Sequence, residues 1–170
     1  MNPKVLILMG SDSDFEVMSE AKKALDDLGV PCELHVSSAH RTPERTARYA
    51  REAAGRGIEV IVCGAGAAAH LAGVVAAETE LPVLGVPLAA SDLSGLDALL
   101  ATAMMPGGVP VGTLGIGKAG AKNAGLFAAR IIARADAAVG ERVRAQRELM
   151  AREVEAKDAA LQSRLAGGKK

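Results

Sequence analysis

Aromatic side chains are nearly absent from this chain: Phe15, Tyr49 and Phe127 are the whole set among 170 residues. That argues against a surface that stacks the bases of single-stranded nucleic acid. It also obliges the core to be built from Ala, Val, Leu, Ile and Gly, with closely packed backbones. Net charge is just as scarce. Lys plus Arg and Asp plus Glu number 20 each, so no global field favours a polyanion or an anionic membrane. Cysteine is limited to Cys32 and Cys63, too few and too far apart for a metal motif. Both lie in strand-like runs and read as small core residues rather than reactive thiols. Long hydrophobic runs are missing as well. The first apolar run ends at Met9, too short for the core of a signal peptide, and no later stretch is long and uncharged enough to span a bilayer. The expectation is a cytoplasmic protein with a small-molecule ligand, and neither nucleic acid nor membrane as partner.

What is present is an alternation of short apolar runs with helix-period segments. The runs Val5–Met9, Cys32–Ser38, Val60–Cys63, Val83–Val86 and Val111–Leu114 read as strands. Between them, Asp14–Leu28 places Val17, Met18, Ala21, Ala24, Leu25 and Leu28 on one helical face, and Gly29 stops it. Further helices are expected from Pro43 to about Arg56, over an Ala-rich stretch to about Thr79, near Leu96–Ala103 and over Ala121–Ala135. Continuous apolar strands separated by helices point to a parallel sheet covered on both faces. Right-handed crossovers then give a three-layer αβα sandwich, flavodoxin-like, with a sheet of about five strands. Residues 1–138 form its single catalytic domain on this reading. Residues 139–165 are charge-rich with a thin apolar line at Val143, Met150, Val154, Leu161 and Leu165. That stripe suits either a helical arm lying on a neighbouring subunit or a loosely packed surface helix. Residues 166–170 are expected to be a disordered tail.

In a parallel sheet every strand-to-helix loop lies on one edge, where ligands bind. The loops at 10–14, 37–43 and 64–70 should therefore converge. Gly10-Ser11-Asp12-Ser13-Asp14 offers backbone N–H groups and two hydroxyls at a helix start, a natural phosphate site. It also carries an ordinary capping box, Ser13 with Glu16, and the two readings can coexist. It is neither a Walker loop nor a Gly-x-Gly-x-x-Gly turn. Ser37-Ser38-Ala39-His40-Arg41-Thr42-Pro43 brings a titratable imidazole, a fixed cation and two serine hydroxyls onto one turn. His40 is the side-chain type best suited to proton transfer near neutral pH, and the Arg41 fork suits phosphate. Thr42-Pro43 reads as N-cap and first helical residue. Asp14 could accept hydrogen bonds from sugar hydroxyls. Gly64-Ala65-Gly66-Ala67-Ala68-Ala69-His70 is small enough for backbone to approach a planar ligand. The same smallness would serve tight helix–sheet packing, and His70 alone reads as a structural histidine. His35, within the second strand, is also read as structural, and Met104–Gly108 as either a flap or a simple turn.

Together these segments resemble the PurE family. Met9-Gly10-Ser11-Asp12-Ser13-Asp14, Ser38-Ala39-His40-Arg41-Thr42-Pro43 and Gly64-Ala65-Gly66-Ala67-Ala68-Ala69-His70-Leu71 look like its three signatures in order. Leu84-Gly85-Val86-Pro87, Met105–Val111 and Ile116–Ala124 continue the likeness, which covers roughly residues 4–135. His-Arg-Thr-Pro and the Gly-Ala-Gly loop ending in His look like the bacterial mutase branch. Ala67 and Ala72 depart from it, standing where mutases usually carry Gly and Pro.

The resemblance implies an isomerase of purine biosynthesis. It would move the carboxylate of N5-carboxyaminoimidazole ribonucleotide from the exocyclic nitrogen to C4, without ATP, metal or organic cofactor. It implies Ser13 and Arg41 at the phosphate, Asp14 at the ribose, and His40 as general acid and base at C4. Ser11, Ser38 and Ala39 would line the ribotide site. Gly64, Ala65, Gly66, Ala67, His70 and Leu71 would wall a closed pocket that retains carbon dioxide. Family members are octamers whose C-terminal helix reaches a neighbour, which implies the same for residues 139–165. The alternatives are a carboxylase using free carbon dioxide, and a non-catalytic nucleotide-binding module of flavodoxin-like fold.

Overall fold

The computed structural model describes residues 2–167. Five strands, β1 (Val5–Met9), β2 (Cys32–Val36), β3 (Val60–Gly66), β4 (Val83–Leu88) and β5 (Gly112–Thr113), form one sheet in the order β2-β1-β3-β4-β5. Every pairing is parallel, with Val5 opposite both Cys32 and Val60. Six helices connect and cover the strands: α1 (Phe15–Asp27), α2 (Pro43–Ala53), α3 (Leu71–Ala76), α4 (Leu96–Ala103), α5 (Gly117–Ile132) and α6 (Ala137–Gly167). This is the flavodoxin-like three-layer sandwich that the alternation of apolar runs and helical segments predicts.

The central strands are apolar at consecutive positions because both of their faces are covered. Val5, Ile7 and Met9 join a cluster with Met18, Leu25, Ala124 and Ile132, on the side of α1 and α5. Leu6 and Leu8 point the other way, to Ala50, Ala53, Leu71 and Val75 of α2 and α3. Each large aliphatic side chain so buried contributes about 1.5–3 kcal/mol relative to exposure. The shortage of aromatics is met by close backbone approach. A side chain at Gly125 would begin 2.5 Å from the Ala21 carbonyl oxygen, so α5 lies almost directly on α1. The two phenylalanines stay outside this core, Phe15 at 52% and Phe127 at 45% exposure. Cys63 is buried, and burial pushes its thiol well above the usual range; Cys32 is only half-buried.

Several boundaries differ from the sequence reading, each for a local reason. β2 ends at Val36 because Ser37 N–H makes the last ladder bond, to the Met9 carbonyl, and Ser38 is then taken up in a turn with Thr42. β3 continues through Gly64-Ala65-Gly66 because β4 also continues, pairing these residues with Val86, Pro87 and Leu88. The Ala-rich helix shrinks to the six residues of α3, since 67–70 are taken up by tight turns in which Ala69 N–H bonds Ala67 and His70 N–H bonds Ala68. The capping box is Ser11 with Asp14 rather than Ser13 with Glu16, whose carboxylate instead meets Lys118 at 2.6 Å. A single turn of 3-10 helix, Asp12–Asp14, therefore precedes α1.

α6 docks by its first turns only. Val139 and Gly140 are buried, and Arg142 bonds the Leu28 carbonyl at 2.5 Å. From 147 to 167 every residue is exposed, with Leu149, Met150, Val154, Leu161 and Leu165 uncovered. Ala166 and Gly167, expected in the tail, belong to this helix, and 168–170 lie outside the described residues. Among the described residues, no helix is long and apolar enough to cross a membrane.

Candidate active site

Because β2 and β3 flank β1, the loops that follow all three strands meet at one end of the sheet. A cavity of about 380 Å³ opens there. Ser11, Ser13, Asp14, Ser38, Ala39, His40, Arg41, Ala65, Gly66, Ala67 and Leu71 line it, as do Gly10, Ala68 and Ala90. A larger cleft of about 580 Å³ lies on the outer face of α2 and α3, but none of the three loops reaches it beyond Pro43. It carries the Arg51–Glu78 ion pair at 2.7 Å and no imidazole. The smaller cavity is the one with titratable chemistry.

The first loop is organised by its own side chains. Ser11 N–H donates to the Asp14 carboxylate at 3.0 Å, and Ser13 N–H reaches the Ser11 hydroxyl at 3.3 Å. The two serine hydroxyls lie 2.9 Å apart. Partial burial raises the Asp14 carboxyl above its ordinary value, opposed by hydrogen bonds from the backbone of Ser11 and Gly10. Asp14 therefore sits as an acceptor-rich group at the edge of water, ready for a hydroxyl-bearing ligand.

The second loop is tied to the first through Arg41. Its guanidinium donates to the Gly10 carbonyl at 3.0 Å, and its backbone N–H to the Ser38 hydroxyl at 3.1 Å. Thr42 precedes Pro43, but its hydroxyl turns back to the Ser38 carbonyl at 3.0 Å instead of capping α2. Beneath this turn, the buried hydroxyls of Ser37 and Thr46 meet at 2.8 Å. His40 is left exposed at the crown of a turn that hydrogen bonds hold from below.

The third loop supplies small walls and a second imidazole. His40 Nε2 and His70 Nδ1 lie 2.9 Å apart, with the rings edge to face at 81°. His70, expected as part of the pocket wall, does not line the cavity; it stands behind His40 at the start of α3. One proton must lie between the two facing nitrogens, so each tautomer of His70 selects the complementary tautomer of His40. Gly64, also expected in the wall, is instead buried against α1. A side chain there would begin 2.2 Å from the Met18 sulfur. Gly66 does line the cavity and has no room for a side chain either, because Ala90 closes in from the end of β4. Ala67 adopts φ +50°, a left-handed conformation that favours glycine.

The sequence reading names Gly10 and Ala68 only as members of their loops, and assigns neither Ala90 nor the pairing of the imidazoles. Ala90 was available to it in principle, because it follows the fourth strand and so belongs to the same sheet edge. The imidazole pairing left no signal in the spacing of the two histidines.

Known proteins resemble the chain in sequence and in fold. The AIR carboxylase family matches residues 4–153. A Mycobacterium tuberculosis protein named N5-carboxyaminoimidazole ribonucleotide mutase is 54% identical over 165 residues, covering 97% of this chain and 93% of that one. A protein of the same name from Pyrococcus abyssi is 60% identical over 113 residues, 66% of this chain; the match spans only 65% of that relative's length. The crystal structure of Treponema denticola PurE superposes with a TM-score of 0.85 at 27% identity, covering 94% of this chain and 98% of that one.

Proposed function

The chain belongs to the AIR carboxylase family, and on that premise we propose that it is an N5-carboxyaminoimidazole ribonucleotide mutase of purine biosynthesis. The observation that carries the reading is the convergence of His40, Arg41 and Asp14 on one cavity of about 380 Å³. A ribotide needs a cation for its phosphate, an acceptor for its ribose and a proton carrier at its ring. Those are the three side chains. Ser13 and Arg41 hold the phosphate, Asp14 the ribose, and the small residues at 65–67 face the flat imidazole.

The chemistry then balances within this site. The bond from the exocyclic nitrogen to the carboxyl carbon breaks, releasing carbon dioxide, and the nitrogen gains a proton. C4 of the aminoimidazole attacks the retained carbon dioxide, which forms the new carbon–carbon bond and leaves C4 tetrahedral. Removal of the C4 proton restores aromaticity. One proton is given and one is taken, so a single imidazole can serve both steps. A proton carrier of this kind contributes about 10²–10⁴ in rate. The contact with His70 supports His40 in that role, since it holds the ring and stabilises either tautomer. Retaining carbon dioxide favours direct transfer over capture from solution, because proximity replaces a high dissolved concentration.

The reading extends to a cytoplasmic homo-octamer in which residues 139–165 lie on a neighbouring subunit. The uncovered apolar line on α6 supports that assignment. Light scattering on the purified protein tests it, and a monomer at micromolar concentration refutes it.

The deciding experiment is an ultraviolet assay of ribotide interconversion with purified protein and no added ATP or metal. His40→Asn should lose at least about a hundredfold in turnover while still binding the ribotide. A wild-type protein that does not exceed the uncatalysed rate would sink the mutase reading.

A further inference from the structure

A second cleft, of about 320 Å³, opens beside the ribotide cavity. The two share Gly10, Ser11, Ser38 and Arg41, so they adjoin across one guanidinium. What the second cleft adds is Arg45. Its guanidinium carbon lies 5.5 Å from the centre of the Tyr49 ring, and a terminal nitrogen donates to the Tyr49 hydroxyl at 3.3 Å. Tyr49 is itself stacked on His35, with centroids 4.9 Å apart. Arg45 is thus held at the rim by an aromatic contact that leaves its charge uncompensated.

The charge count in this cleft is one-sided. Among the described residues, neither Arg41 nor Arg45 has an acidic partner within 4.0 Å. Asp12 is the one carboxylate in the lining. It already accepts from the Ser11 hydroxyl at 3.1 Å and the Ser13 N–H at 3.0 Å. Two fixed cations therefore face one committed anion. The volume is about ten times the roughly 30 Å³ share of a liquid water, which leaves room for a phosphate with part of its hydration.

We infer that this cleft is a second anion subsite, taking the distal phosphate of a ribose 5-diphosphate ester such as a nucleoside 5′-diphosphate. The inference rests on the ribotide reading of the neighbouring cavity, which puts the proximal phosphate at Ser13 and Arg41. Arg41 then bridges the two phosphates and Arg45 holds the outer one. Such a compound enters the site but brings no carboxyl group to transfer. It therefore competes with the ribotide.

Calorimetric titration with inorganic phosphate and inorganic pyrophosphate tests this on the intact protein. Arg45→Ala should weaken pyrophosphate about fivefold and phosphate less than twofold, while Arg41→Ala weakens both. Arg45→Lys should keep part of the preference, since it keeps the charge without the planar fork. Arg45→Gln, which keeps a stem over Tyr49, gives the same reading should the alanine variant disturb α2. Equal losses for the two anions, or no loss for either, overturn the subsite. Turnover of the same preparations separates the two ideas. An active mutase with no Arg45-dependent preference refutes the subsite alone. An inactive protein that shows the preference keeps the subsite and refutes the mutase reading.

Discussion

Ala67 offers a test in which opposing effects can be weighed from the structure. It has φ +50°, and for an L-residue with a Cβ the left-handed region costs about 1–2 kcal/mol. Replacing it by glycine removes that cost. Against this, glycine enlarges the conformational freedom of the unfolded chain, worth about 0.4–1 kcal/mol. The lost methyl group contributes little, because Ala67 is exposed, and the hydrogen bond from Ala69 N–H to its carbonyl is made by backbone alone. The relief of strain wins, so Ala67→Gly should stabilise by about 0.5–1 kcal/mol. In a chain of this length that raises Tm by about 1–4 °C. Ala67→Val, β-branched at positive φ, should fall below the wild type. The assay is urea unfolding followed by far-ultraviolet circular dichroism at one fixed protomer concentration, read as a shift of the midpoint at unchanged slope. A glycine variant less stable than the wild type, or a valine variant its equal, would refute the argument that the loop stores strain. The position lines the cavity, where strain of this kind tends to be kept.

Other consequences follow from the same contacts. Truncation of His70 to alanine should lower kcat about ten- to a hundredfold with KM nearly unchanged, and His70→Asn, which can still hydrogen-bond, should recover part of it. Unaltered kcat in steady-state assays of both variants would show that the contact between the rings does not serve turnover. Gly125→Ala would place a carbon 2.5 Å from the Ala21 carbonyl oxygen. Backbone cannot yield as a side chain can, so overpacking of about 1–3 kcal/mol should exceed the roughly 1 kcal/mol helix preference of alanine. Thermal unfolding should show a lower Tm, and a raised one would contradict the close crossing of α1 and α5. For Asp14, burial raises the folded carboxyl above its ordinary 3.8, so the folded state binds the proton more tightly than the unfolded chain. Its contribution is most favourable in acid and is lost as pH rises from 3.8 through the folded value. Asp14→Asn escapes that loss while weakening ribotide binding, so its stability relative to wild type should improve from pH 3 to pH 7 in urea titrations. A trend in the opposite direction would mean that the backbone hydrogen bonds outweigh burial.

The layers of the fold were legible because their cause is local. Val5–Met9 is apolar at every position, and a strand hidden on both faces has no other use for such a run. The helix over Phe15–Asp27 was legible from its apolar face and from Gly29 beyond it. What escaped were features that depend on a neighbour. Gly64-Ala65-Gly66 has poor strand preference, yet pairing with Val86–Leu88 keeps it extended. The residues at 67–70 look helical by composition, yet successive turns use up their N–H groups before α3 begins. Ser13 with Glu16 fits a capping box on spacing. Only the Ser11 amide finds a carboxylate three residues on.

The site divides along the same line. The groups proposed to bind lie on contiguous loops, Ser11 to Asp14 and Ser38 to Arg41, and each announces itself by residue type. The relation between His40 and His70 is set by topology instead. β2 and β3 lie on opposite sides of β1, so their loops can meet only over the end of β1, where Gly10 and Ser11 lie. That crossing puts His40 Nε2 and His70 Nδ1 2.9 Å apart, with Ser11 and Ser13 lining the same cavity as His40. If β3 paired directly with β2, the same motifs would set the imidazoles side by side with the phosphate loop displaced to one flank. His40 and the Ser11–Asp14 loop would then no longer face one cavity. The strand order turns three separately readable loops into one site, and strand order is the property that a single sequence, read segment by segment, carries least clearly.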